Sequence, residues 1–122
     1  MEYMKKVALA VVAIMVMATF SFAQGQNAKT FKGEIMDSMC ASMGGHSQAA
    51  YESTHTHTPK DCTLACVKAG SKFVLYNKAK KTTLQLSDQD KARDFAGQEV
   101  KVTGTYDKAT KTIHVSNIEA AS

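Results

Sequence analysis

Three cysteines, Cys40, Cys62 and Cys66, and three of the four histidines, His46, His55 and His57, fall between Asp37 and Gly70, in company with Met39 and Met43. Thiolate and imidazole together bind borderline and soft metals. Three cysteines and one histidine have the composition of a tetrahedral zinc shell, and the same donors, helped by thioether sulfur, suit copper(I). The candidate metal ligands are therefore Cys40, His46, Cys62 and Cys66, with a zinc or copper ion as cofactor. The spacing Cys62-x-x-x-Cys66 places two sulfurs on one face of a helix. Gly44-Gly45 can turn the chain so that Cys40 and His46 approach one another.

The same cysteines admit a second use. A disulfide from Cys40 to Cys62 or Cys66 would close a loop of more than about 20 residues and stabilise the fold by roughly 2–4 kcal/mol. An odd thiol then remains, buried or available to another protein or a second copy of the chain. His55 and His57 would share a face if extended and could join a metal, although in a polar loop they also read as plain solvated residues. Met36, Met39 and Met43 form a loose thioether set, and His114 points outward from the last strand by alternation.

Turnover has little support. Cys40 with His46 could in principle give a thiolate nucleophile, but no orienting third group is legible. Neither a thioredoxin-like Cys-x-x-Cys, a haem Cys-x-x-Cys-His nor a phosphate-cradling glycine loop is present. Asp37 and Asp61 flank the cysteine elements, where they cap turns or support a ligand histidine. The chain is expected not to be an enzyme.

The elements that must hold these residues are short strands. Thr30–Met36 alternates, with Phe31, Gly33 and Ile35 on one face and Lys32 and Glu34 toward water. Residues 37–58 have neither helical nor strand period and read as a long loop. Thr58-Pro59 opens a short helix that ends at Gly70, with Thr58 as cap and Asp61 in the first turn. Strands follow at Ser71–Asn77, Thr82–Leu86, Gln98–Tyr106 and Lys111–Glu119, with a helical turn from Ser87 to Phe95 between the third and fourth. In the last strand Ile118 breaks the phase set by Ile113 and Val115, which predicts a bulge near Ser116-Asn117. This order predicts a mainly β fold, a small five-stranded OB-like Greek-key barrel. A Cys/His-containing loop and a short helix are inserted between strands 1 and 2.

Residues 1–23 read as a signal peptide: Lys5 and Lys6, an apolar run from Val7 to Phe20, then Ser21-Phe22-Ala23 before a cleavage at Gln24. The run is short for a membrane span, which needs roughly 20 apolar residues, so no span is expected after its removal, and the location is periplasmic or extracellular. Residues 24–29 form a flexible lead-in and 30–119 one domain, with the insertion at 37–70. The net charge of +4 is mild, and its lysines are dense only from Lys78 to Lys81. This argues against a nucleic-acid partner, which would need them gathered on one face.

The elements G-x-I-x-D-S-x-C at Gly33–Cys40, His46, C-x-x-x-C at Cys62–Cys66, the strand KFVLY and the terminal AGQEVKVTGTYDKATKTIHVSNI together resemble a group of small exported bacterial proteins of unknown function. The similarity spans nearly all of the chain after the signal segment. It implies an OB-like barrel and assigns no ligand or catalytic role to any residue. The leading reading is a secreted, non-catalytic protein that binds zinc or copper. Its rivals are a disulfide-stabilised interaction or assembly module of the envelope or extracellular space, and an oligosaccharide-binding barrel.

Overall fold

The computed structural model describes residues 27–121, so the signal segment expected at 1–23 lies outside the described residues. Five strands and four helices alternate in the order β1 (Lys29–Asp37), α1 (Ser38–Ser42), α2 (Gln48–Thr54), α3 (Pro59–Lys68), β2 (Phe73–Asn77), β3 (Thr82–Leu86), α4 (Gln89–Arg93), β4 (Glu99–Asp107) and β5 (Thr112–Ala120). None of the described helices is long and apolar enough to cross a membrane.

β1 and β2 are the axis of the molecule because both of their faces are covered. Alternate residues of a strand point to opposite sides. Ile35, Phe73 and Leu75 thus enter one apolar cluster, with Leu86, Ala92, Ala96, Val100, Val102, Ile113 and Ile118. Met36, Val74 and Tyr76 enter a second, with Cys40, Ala41, Ala50, Cys62 and Cys66. The first lies within the sheet, and the second lies between the sheet and the helices that follow β1.

β1 pairs antiparallel with β2 and β4, β2 with β3, and β4 with β5. β3 and β5 run parallel and are joined by two residue pairs, Gln85 with Thr112 and Leu86 with Ile113. The strand order β1-β2-β3-β5-β4 returns on itself through this seam. Backbone bonds at the seam include Gln85 N–H to the Lys111 carbonyl at 2.8 Å and Ser87 N–H to the Ile113 carbonyl at 3.0 Å. The expected OB-like Greek-key barrel is corrected accordingly. A Greek-key barrel is an antiparallel architecture, whereas these five strands close into a barrel in which the sheet is mixed, the β3–β5 junction being parallel and short. The bulge anticipated from Ile118 falls at Ser116: Thr103 faces Asn117 and Gly104 faces Val115, which leaves Ser116 unpaired. Its hydroxyl donates to the Thr103 carbonyl at 3.0 Å.

The insertion also differs from a loop with one helix. Two further helices occupy the stretch expected to lack structure. α1 is capped by Asp37, whose carboxylate accepts from Cys40 N–H, and α2 by Ser47, whose hydroxyl accepts from Ala50 N–H. Each spans two turns or fewer, too few for a hydrophobic period to emerge, and such helices depend on packing rather than propensity. The insertion leaves and rejoins the sheet at one point, since Asp37 and Phe73 are register partners. Ser38 N–H donates to the Lys72 carbonyl at 2.9 Å. The loop before β4 holds the start of α3: Gly97 has φ +73°, and a side chain there would overlap the Pro59 and Lys60 backbone.

Candidate metal centre

Cys40 sits on α1 one turn past the end of β1 and is 1% exposed. Cys62 and Cys66 sit on the face of α3 turned toward it, both buried. Thr58 caps that helix by accepting from Asp61 N–H at 3.1 Å, with Pro59 in its first turn. His46 arrives from the other direction. Gly44 and Gly45 take φ of +88° and +122°, values an L side chain resists, and the turn they make folds the imidazole back over Cys40. The His46 ring stacks on Tyr51 of α2, centroids 5.8 Å apart and planes 12° apart. Its side chain is 7% exposed.

These residues form two candidate ligand groups. One is Cys40, His46 and Cys62; the other is Asp37, Cys40 and Cys66. Within each, the donor atoms lie within 4.8 Å of one another. Among the described residues all four expected ligands are thus brought together, divided between two groups that share Cys40. Asp37 is the donor that sequence reasoning treated only as a cap or support. One of its oxygens, Oδ2, does accept from Cys40 N–H at 2.8 Å. The other, Oδ1, is fully buried and has no hydrogen-bond partner. It lies 3.8 Å from His46 Nε2.

The surroundings orient the donors. His46 Nε2 also lies 3.3 Å from the hydroxyl of Thr63, a wholly buried residue of α3. On the outer side, His46 Nδ1 lies 3.9 Å from Glu34 Oε1. Glu34 was expected to face water. It is half-buried because the insertion covers its side of β1, and it lines a cleft of about 230 Å³ with His46, Gly45, Tyr76, Lys78 and Glu99. Burial, then the neighbouring charge of Glu99, raise its pKa to about 7. Thr54 donates its hydroxyl to Cys62 Sγ at 3.6 Å.

Burial pushes the Cys40 thiol well above the usual range, and the Asp37 carboxylate adds to it. Burial, then Asp37, raise Cys66 to about 11. Burial lowers His46, which favours the neutral imidazole that a metal requires. All three cysteines are free, so the expected disulfide is corrected. Thiol–disulfide exchange needs thiolate, and raised pKa values keep that form scarce at neutral pH unless a cation takes the proton's place. His55 and His57 are exposed and belong to neither ligand group. Met39 and Met43 are 57% and 62% exposed, while Met36 is packed beside the thiols. His114 is exposed on β5, as alternation predicts.

A protein family described as "Protein of unknown function (DUF5818)" matches residues 67–121. The match runs from the last turn of α3 through β5 and covers less than half of the chain. No curated protein and no solved structure matches. The resemblance drawn from the sequence is corrected in two respects. The matched part begins one residue after Cys66 and so excludes the D-S-x-C and C-x-x-x-C elements, and the closed sheet carries one parallel junction instead of being wholly antiparallel. The ligand groups belong to a part of the chain to which this similarity does not extend.

Proposed function

We propose that this is an exported, non-catalytic protein whose insertion binds a thiophilic metal ion, zinc or copper(I), through Cys40, Cys62, Cys66 and His46. The observation that carries the proposal is the convergence of two ligand groups on Cys40 in one buried place. Three thiols and an imidazole, drawn from α1, the turn after it and α3, have no other polar task of comparable size there. Soft sulfur donors select zinc and copper(I) over magnesium or calcium. The signal-like segment at 1–23 supports export. The burial of the thiols, which raises Cys40 and Cys66 and keeps nucleophilic thiolate scarce in the metal-free chain, supports sequestration, delivery or structural locking over turnover.

The direct test is metal analysis with thiol counting on the reduced chain. Three free thiols are expected when counted in denaturant, and their reaction in the folded chain, already slow because they are buried, should slow further on addition of zinc or copper(I). Unchanged reactivity in the presence of either ion, with no metal retained after gel filtration, would overturn the proposal. His46→Ala is expected to weaken zinc affinity by about 10-fold or more.

A further inference from the structure

We propose that the cluster takes two divalent ions bridged by the Cys40 thiolate, one held with His46 and Cys62 and the other with Asp37 and Cys66; this rests on the reading of the cluster as a metal site. The first observation is the division of the donors. On a tetrahedral zinc with bonds of about 2.3 Å, two thiolate sulfurs stand roughly 3.8 Å apart. Each group, with all donor atoms within 4.8 Å of one another, has the span of one such ion. The groups meet in Cys40 alone, and a thiolate sulfur has lone pairs enough to serve two metals.

The second observation is independent of the thiols. Asp37 is 0% exposed, its Oδ2 is engaged with Cys40 N–H, and its Oδ1 has no partner. A buried carboxylate oxygen without a partner is costly, and its residue belongs to the second group, where a cation would satisfy it. The third is charge. Three thiolates and one carboxylate carry four negative charges. A single divalent ion on the first group, with Cys66 left as a neutral thiol, would leave the Asp37 charge uncompensated in a buried place, whereas two divalent ions bring the fully ionised cluster to neutrality. Monovalent copper would not, so the ions are zinc-like. On loading, the three thiol protons leave to solvent, and each ion keeps one position for water or a small donor.

Native mass spectrometry of the reduced, metal-free chain titrated with zinc should show two ions per chain. Titration with cobalt(II) should give an electron paramagnetic resonance signal at one equivalent that declines at two, because a shared thiolate couples the two spins. Asp37→Asn keeps the cap, since asparagine caps as well as aspartate, and should retain one ion. Cys66→Ser should do the same, and it reads the inference if the Asp37 variant fails to fold. Wild-type binding of one ion, unchanged by Asp37→Asn, would overturn the two-ion inference and leave the single-ion site standing. Two ions whose cobalt signals simply add would overturn the bridge. No bound ion at all would overturn both.

Discussion

The two apolar clusters share strands but are built from different materials. The one within the sheet is made of Ile35, Phe73, Leu75, Val100, Val102 and Ile113, all essentially unexposed, together with smaller neighbours. Branched and aromatic groups of this kind stabilise by burial alone. The one beneath the insertion replaces most of them with Cys40, Cys62, Cys66, Ala41 and Ala50 around Met36, Val74 and Tyr76. It buries less apolar side chain per residue and encloses an unpartnered carboxylate oxygen. The difference teaches that the sheet is a finished core, whereas the insertion, on the proposed reading, is a core with a component still to be supplied. The stability of the first should depend on side-chain volume and that of the second on metal.

The sharpest way to separate the two is Metal removal set against a cavity in the sheet. Phe73→Ala is expected to cost about 3–5 kcal/mol in denaturant unfolding, with the metal stoichiometry of the folded fraction unchanged. Loss of stoichiometry in that fraction would merge the two regions into one. Chelation should remove about 4 kcal/mol relative to protein held at a free-ion concentration roughly 1,000-fold above Kd. Amide exchange should then quicken across Ser38–Lys68 and stay slow at Val100 and Val102. Uniform quickening would contradict the comparison.

Gly97→Ala links the regions, since its backbone abuts the start of α3 and its φ is +73°. It should cost about 1–3 kcal/mol and weaken metal binding as well. An unchanged affinity, read by competition with a chromogenic chelator, would show that α3 holds its position without this contact.

The smallest effect concerns pH. Glu34 in the folded, metal-free chain titrates near 7, above its unfolded value of 4.5. A raised carboxyl pKa means that the folded state binds the proton more tightly. Its contribution is therefore fully present below pH 4.5 and is lost as pH rises toward 7. Glu34→Gln should flatten that decline by on the order of 1 kcal/mol, a figure reduced for the open cleft beside it. Denaturant titrations of the metal-free protein at pH 5 and pH 8 check the sign.

Much of this arrangement can be read from residue order. The strand alternation, the Thr58-Pro59 opening of α3 and the phase break at Ile118 correspond to observed elements. The candidate ligands Cys40, His46, Cys62 and Cys66 announce themselves by type. What alternation and period could not convey was anything shorter than two turns or dependent on distant neighbours. α1 and α2 had only their caps as signals, Asp37 three residues before Cys40 and Ser47 three before Ala50. Asp37 as a donor was hidden because capping accounts for one oxygen, and only the fold reveals that the other is stranded. Glu34 alternates as an outward residue, and its burial follows from where the insertion lies. Strand period is likewise silent on which strand edges meet, so the parallel β3–β5 junction lay beyond it.

That junction has a consequence for how the molecule breathes. Two residue pairs join β3 to β5, against four between β1 and β2 and eight between β4 and β5. If thermal motion unzips the ring anywhere, it should do so there, on the side away from β1, whose C-terminal end carries the sulfur cluster. The protein can thus flex along a weak seam while the strand pair beside the thiol cluster stays shut.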